Sequence, residues 1–256
     1  MAKRGQVWVG TSGWVYRHWR GVFYPPRLRV GDWFAFYADH FDTVEINNSF
    51  YRLPSDAAFS SWKKQAPRGF LYALKVSRYL THQKKLKEPE EPLKTFLGLA
   101  RQLGRHLGPL LYQLPPHWHC DVPRLRHFIG LLPRDLTHVF EFRDPSWCND
   151  EVRELLAEAG MSYCIHDMPG FRCPLWVTAH AVYIRFHGPG EKRYAGRYDR
   201  RHLRTWARRI NGYREDGHDV FVYFNNDAAG NAVINASQLK EDLGKPLHRR
   251  RGARTT

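Results

Sequence analysis

The chain has 256 residues, of which 43% are hydrophobic and 25% are charged, a balance typical of globular proteins with their own core. No window approaches the roughly 18 consecutive apolar residues of a membrane-spanning helix, so no membrane partner is expected. The N-terminal stretch MAKRGQVWVG is basic but lacks the apolar run of a secretion signal.

The formal net charge is +15, and arginines concentrate in 191–214 and 248–256. This balance favours an anionic small molecule or nucleic acid as partner, although an arginine-rich proteome would produce it too. The domain is predicted over 1–244, and the basic segment 245–256, which has no apolar face, is predicted to be a disordered tail. The four widely spaced cysteines form no C-x-x-C pair, which predicts free thiols and a cytoplasmic protein. The oligomeric state stays open.

Short β-type runs alternate along the chain with amphipathic segments. The strands are predicted at 7–13, 43–51, 70–77, 108–115, 138–143, 162–167, 181–188 and 219–227. The helices are predicted at 30–41, 55–66, 91–107, 123–132, 149–160, 200–216 and 228–243. The segment 168–178 is short and rich in proline, so an irregular connection is predicted after the sixth strand.

Strands that alternate with helices indicate βαβ units and a parallel sheet. Eight such units in a chain of this length predict a closed (β/α)₈ barrel of the TIM-barrel type. An open doubly wound sheet is the alternative, but it normally carries a glycine-rich phosphate loop after its first strand. The sequence GTSGWVY at 10–16 does not match that loop.

The carboxyl ends of the predicted strands are unusually polar, and these are the ends at which barrel enzymes carry their chemistry. The residues are Glu45, Asn47, Lys75, Arg78, His82, Gln113, Glu141, Arg143, His166, Asp167, Arg185, His187, Asn225, Asn226 and Asp227. Side chains two positions apart share a face of a strand. The pairs Glu45/Asn47, Glu141/Arg143 and Arg185/His187 are therefore predicted to point into the barrel. A salt-bridge network that only stabilises the barrel is the alternative to a functional site.

Aromatic residues follow the first strand in WVYRHWRGVFYPP, and Trp14 and Tyr16 are the rings predicted to lie nearest the mouth. Flat rings beside a cationic cleft stack on sugars or unpaired bases. Each ring taken singly also suits the simpler role of anchoring its loop.

Seven stretches support a resemblance to a known family: GTSGWVYRHWRGVFYP, FDTVEINNSFYRLP, KVSRYLTH, GPLLYQLPP, FEFRDPSW, YIRFHG and VYFNNDAAGNAVINA. The chain is similar throughout to the YecE-like family, also called domain of unknown function 72. The resemblance extends from residue 10 to about 236 and implies a TIM-barrel-like fold. It implies no settled reaction, and the arginines after Tyr198 and the basic tail are additions of this chain.

The first functional hypothesis is an enzyme, a hydrolase or lyase, that binds a phosphorylated or nucleic-acid substrate in a cationic pocket without a cofactor. Lys75, Arg78, Arg143 and Arg185 would hold the phosphate by charge-assisted hydrogen bonds. The predicted catalytic residues are Glu45 or Glu141 as general base, His187 as general acid and Asp167 or Asn226 as orienting group. Nearby arginine lowers a carboxylate pKa and makes a poorer base, which counts against Glu141. The remaining predicted substrate contacts are Asn47, His82, Gln113, Asn225, Trp14 and Tyr16.

Three alternatives stay open. One is a divalent-metal hydrolase or isomerase with Glu45, Glu141, Asp167 and His187 as ligands, although several nearby cations would repel the metal. Another is a nucleic-acid-binding module without catalysis. The third is a retaining glycosidase, which needs its two carboxylates roughly 5 to 5.5 Å apart.

Overall fold

The computed structural model describes residues 3–191 and 194–244, and all eight predicted strands are present. They are β1 (Val7–Thr11), β2 (Thr43–Ile46), β3 (Leu71–Lys75), β4 (Leu107–Gln113), β5 (His138–Glu141), β6 (Ser162–Asp167), β7 (Ala181–Phe186) and β8 (Asp219–Phe224). The α-helices are α1 (Trp33–His40), α2 (Asn48–Tyr51), α3 (Asp56–Gln65), α4 (Glu90–Arg101), α5 (Val122–Gly130), α6 (Asp150–Ala159), α7 (Arg200–Glu215) and α8 (Asn231–Asp242).

The strands form one parallel sheet in the order β1-β8-β7-β6-β5-β4-β3-β2. The sheet closes between β1 and β2 through a single parallel bridge that joins Ser12 to Glu45. The strands come so close there that a Cβ on Gly10 would lie 2.2 Å from the Thr43 carbonyl oxygen, so only glycine fits. The predicted TIM-barrel-like fold is confirmed.

Alternation along the strands separates two cores. Side chains that point into the barrel form an inner cluster of Ala73, Leu111, Val139, Cys164, Tyr183, Phe221 and Tyr223. The alternate set packs between sheet and helices, where Ile46, Phe140 and Ile184 belong to the larger outer cluster. The inner apolar layers therefore fill the barrel below the polar strand ends.

Several predicted boundaries are wrong: the helix predicted at 91–107, for example, ends at Arg101, and β4 already begins at Leu107. The second strand does not continue to residue 51, because it ends at Ile46 and residues 48–51 turn into the short helix α2. Ser49 stabilises this turn, since its hydroxyl donates to the carbonyl oxygen of Lys75 at 2.6 Å. The last helix begins at Asn231 rather than at residue 228, after Gly230 with φ near +73°.

The irregular connection after β6 is present as predicted, since residues 168–180 contain no helix. All four cysteines are free thiols. Within 3–191 and 194–244, no helix is long and apolar enough to cross a membrane. The predicted tail at 245–256 lies outside the described residues.

Candidate active site at the barrel mouth

A row of alternating charges crosses the barrel interior at the carboxyl ends of β2, β7 and β5. Arg185 donates from Nη2 to Glu45 Oε1 at 2.7 Å and from Nη1 to Glu141 Oε2 at 2.6 Å. Glu45 also accepts from the hydroxyls of Ser12 and Tyr183, each at 2.7 Å. Both glutamates and the arginine are fully buried. Their mutual pairing offsets the high cost of placing charge in the barrel interior.

Arg143 and His187 extend this row. Arg143 donates from Nε to Glu141, and its Nη2 lies 2.9 Å from His187 Nε2. The remaining Nη1 contacts only the Met168 sulfur, at 2.9 Å. The structure therefore brings together Glu45, Glu141, Arg143, Arg185 and His187, and we call these five residues the buried charge network.

The electrostatics of this network conflict with two predicted roles. Burial alone would raise the pKa of Glu141, but Arg143 and Arg185 outweigh it and hold that pKa well below its usual range. Burial, followed by Arg143, holds the pKa of His187 well below its usual range. Glu141 is then a weak base, and His187 is a neutral imidazole that accepts from Arg143. Glu141 therefore has the charge that a general base needs but little basicity, and His187 lacks the proton that a general acid must donate.

The network also does not suit the metal alternative. Arg185 lies between Glu45 and Glu141 and already uses the carboxylate oxygens that would ligate an ion. In the parts of the chain that the structure describes, no group of three or more His, Cys, Asp or Glu side chains has a metal-binding arrangement. A guanidinium between the two carboxylates opposes a divalent cation by charge.

Lys75 at the end of β3 differs from the other cations of the mouth. Its side chain is 8% exposed, and its ammonium lies 3.9 Å from the centre of the Phe50 ring. No carboxylate among the described residues lies within ion-pair distance of it. Burial, followed by Arg185, lowers the pKa of Lys75 to about 7. This amine therefore changes charge near neutral pH.

Lys75 opens into a cleft of about 610 Å³ at the carboxyl end of the barrel, which we call the mouth cleft. Its other lining residues are Tyr16, His18, Asn47, Asn48, Tyr51, Tyr194, Asn225, Asp227, Ala228 and Ala229. Asn47 Oδ1 is buried and has no hydrogen-bond partner within the described ranges. The cleft thus combines a buried amine with an unused amide acceptor.

Three other predicted contacts lie around the mouth: Asn225, His82 and Arg78. Asn225 lines the cleft, and its amide nitrogen is 3.4 Å from His187 Nδ1. His82 contacts the Thr81 hydroxyl at 2.9 Å, and burial, followed by Lys75, lowers the pKa of His82 to about 4. Arg78 is exposed.

Gln113 is the last residue of β4 and His166 the last but one of β6, and both are buried. Burial lowers the pKa of His166 to about 4, and its Nδ1 lies 3.6 Å from the Cys173 sulfur. Neither residue lines the mouth cleft.

Two predicted site residues point away from the mouth. Asp167 Oδ2 lies 2.9 Å from His202 Nε2 and accepts from the Trp206 indole at 3.3 Å, so it binds α7. The Asn226 amide donates to Asn235 on α8 at 2.9 Å. Each follows a mouth-facing residue by one position, so alternation turns it outward. The predicted orienting and ligand roles of Asp167 and Asn226 do not fit this geometry.

The two aromatic residues predicted at the mouth, Trp14 and Tyr16, differ in whether they line the mouth cleft. Trp14 packs edge-on against Phe34 and Trp62 and lines a smaller neighbouring cleft. Tyr16 lines the mouth cleft, and its hydroxyl donates to the Ser12 carbonyl oxygen at 2.5 Å.

Several lining residues were not among the predicted site residues, and three of them carry rings: His18, Tyr51 and Tyr194. His18 forms an ion pair with Asp227 at 2.9 Å when it is protonated. Tyr51 falls within the strand predicted at 43–51, and the paired asparagines of EINNSFY are the sequence signal that the strand ends before it. No sequence signal separates Tyr194 from the other tyrosines of its loop.

The chain matches the family model described as "Protein of unknown function DUF72" over residues 8–255. It is 27% identical to the UPF0759 protein YunF of Bacillus subtilis over 273 aligned positions, which cover 93% of this chain and 94% of that protein. A DUF72 family protein of Thermotoga maritima superposes with a TM-score of 0.82 at 29% identity, over 94% of this chain and 100% of that one. A DUF72 family protein of Enterococcus faecalis superposes with a TM-score of 0.78 at 22% identity, over 96% of this chain and 99% of that one.

Proposed function

The chain belongs to the DUF72 family, whose description assigns no activity, and we propose that it is an enzyme acting on a small phosphorylated substrate in the mouth cleft. In this proposal, Lys75 contacts the phosphate and exchanges a proton with the substrate. No metal or other cofactor takes part. The buried charge network positions Lys75 and sets its electrostatic surroundings.

The observation that supports this proposal is the imbalance of charge around Lys75. Three cations, Lys75, Arg143 and Arg185, face the two carboxylates of Glu45 and Glu141, and only Lys75 forms no ion pair among the described residues. A dianion beside Lys75 would supply the missing negative charge. The surrounding protein excludes most water, so this interaction is stronger than on an open surface.

The same amine suits acid–base catalysis better than Glu141 or His187 does. A pKa of about 7 for Lys75 leaves protonated and neutral forms in similar amounts at neutral pH. A bound phosphate stabilises the protonated form and raises that pKa, so proton uptake accompanies binding. The ammonium formed on binding then gives its proton to the leaving group, and the neutral amine that remains is protonated again from solvent.

The test is to titrate inorganic phosphate into the protein by calorimetry in two buffers of different ionisation enthalpy. We expect binding in the millimolar range or tighter, with proton uptake at pH 8. Lys75→Met should abolish both, whereas Lys75→Arg should bind phosphate without proton uptake. Equal phosphate affinity in the wild-type protein and Lys75→Met would overturn the proposal.

A second candidate is binding of a nucleic-acid strand across the outside of the barrel. Arg201 and Arg208 lie on one exposed face of α7, and no carboxylate of the described residues pairs with either. α7 begins at the mouth end of the barrel, so a strand on this face would reach the cleft. Arg201→Ser/Arg208→Ser should then reduce the slope of log K against log salt for single-stranded DNA by about 0.7 per arginine lost. An unchanged slope would reject this surface.

A further inference from the structure

Tyr51 lies where three clefts meet. Its ring is 77% exposed and lines the mouth cleft of about 610 Å³ together with two neighbouring clefts of about 520 and 750 Å³. Leu53 and Tyr79 are also exposed and line the largest of these clefts. A flat ring is thus presented to solvent beside the opening that contains Lys75.

The position of Tyr51 is fixed to the end of β3. The Ser49 hydroxyl holds α2 to the Lys75 carbonyl oxygen at 2.6 Å. The neighbouring Phe50 is buried, with its ring under the Lys75 ammonium and edge-on to His82. Because α2 is anchored to the strand that carries Lys75, the amine and the Tyr51 ring are presented as one preorganised surface.

A hydrogen-bond acceptor lies on the same short segment. Asn47 precedes α2 and lines the mouth cleft, and its buried Oδ1 accepts no hydrogen bond from any described residue. A buried acceptor without a partner is costly, so the site favours a ligand that brings an O–H or N–H donor.

The cleft beyond Tyr51 is more acidic than the mouth cleft, where Asp227 is the one carboxylate among the lining residues. The largest cleft is lined by the carboxylates of Glu88, Glu90 and Glu91 and by only one cation, Lys84. Phosphate is therefore favoured at Lys75 and disfavoured beyond Tyr51. A phosphodiester chain that continued past Tyr51 would meet like charge, whereas an uncharged ring with amino groups would not.

We propose that the substrate is a nucleoside monophosphate, with its phosphate on Lys75, a ribose hydroxyl donating to Asn47 and its base stacked on Tyr51. This inference rests on the proposed function, because it names the substrate class of the same site. An anion, a hydroxyl donor and a flat uncharged ring are the three features that the site selects, and a nucleoside monophosphate carries all of them.

The experiment compares the affinities of inorganic phosphate, ribose 5-phosphate and AMP for the full chain by calorimetry. We expect affinity to rise at each step. Tyr51→Ala should weaken AMP binding about 5- to 100-fold and leave phosphate binding unchanged, because stacking on an aromatic ring contributes on that scale. Tyr51→Phe should keep AMP affinity within about twofold, since it keeps the ring.

Tyr194→Ala is the matched control, because Tyr194 lines the mouth cleft but is less exposed, at 37%. A loss of AMP affinity in Tyr194→Ala but not in Tyr51→Ala would overturn the inference. AMP that binds no tighter than ribose 5-phosphate would also overturn it, while leaving phosphate binding at Lys75 intact. Failure of all three ligands to bind would reject the proposed function itself.

Discussion

Two neighbouring regions of the barrel mouth differ in whether their buried charges are paired. In the buried charge network, Arg185 joins Glu45 and Glu141 at 2.7 and 2.6 Å, and their charges are matched inside the protein. One strand away, Lys75 is nearly as buried, but its ammonium forms no ion pair with the described residues and lies 3.9 Å from the Phe50 ring centre. The first region is complete without a ligand, and the second is not.

This difference suggests two roles for buried cations: paired ones stabilise the barrel, and the unpaired one is proposed to bind a ligand. Charges that are paired inside the protein hold strands β2, β5 and β7 together at the mouth. A cation that stays unpaired lowers stability unless a ligand pairs with it, which is the usual cost of a preorganised binding site. Residue type and burial alone therefore do not distinguish Lys75 from the paired cations, and our proposal rests on its lack of an ion-pair partner among the described residues.

The largest expected effect is on the paired region. Arg185→Met leaves Glu45 and Glu141 buried without their shared cation and should lower the free energy of unfolding by about 3–5 kcal/mol. Urea unfolding followed by circular dichroism measures this. Arg101→Met, which breaks an exposed ion pair with Asp135, is the control and should change little. Comparable losses in the two variants would show that the buried network is not the stronger one.

Sulfate binding tests the unpaired region, because sulfate does not titrate in the relevant range. Only the protonated amine attracts the anion, and the pKa of Lys75 is about 7. Affinity should therefore be constant below pH 6 and fall about tenfold for each pH unit above 7. In Lys75→Arg, the affinity should stay nearly constant from pH 6 to 9. If the sulfate affinity of the wild-type protein did not change with pH, sulfate would bind at a site other than Lys75.

A smaller effect is expected on stability at Lys75. The pKa of Lys75 is lower in the folded protein than its ordinary value of 10.5, so protonation opposes folding. This penalty is full below pH 7 and disappears as pH rises from 7 toward 10.5. The free energy of unfolding of Lys75→Met should then exceed that of the wild-type protein by at least about 1 kcal/mol at pH 6. The difference should be smaller at pH 10. A variant that is less stable at pH 6 would show that the amine has a partner in the protein.

The smallest effect concerns Asp167, which faces α7 rather than the mouth. Asp167→Asn weakens the contacts with His202 and Trp206 and should lower the free energy of unfolding by about 1 kcal/mol. Phosphate affinity should not change. Burial opposes the shift, but the His202 contact lowers the pKa of Asp167, so the stability difference from wild type should shrink on acidification. A loss of phosphate affinity in Asp167→Asn would show that Asp167 contributes to phosphate binding.

The architecture followed from the sequence by itself. Eight β-type runs between amphipathic segments are a local pattern, and βαβ handedness leaves few ways to arrange them. Alternation at the strand ends also placed Glu45, Glu141, Arg143, Arg185 and His187 toward one lumen, because side chains two residues apart share a face.

Only the tertiary structure decided which of these polar groups has a partner. Pairing depends on distances between strands that are far apart in sequence, and Arg185 reaches Glu45 across 140 positions. The same long-range packing paired the outward-facing Asp167 with His202 on α7 and brought Tyr51 beside Lys75 through α2. The charge state of Lys75 depends on burial and on neighbouring arginines, which exist only once the barrel has closed.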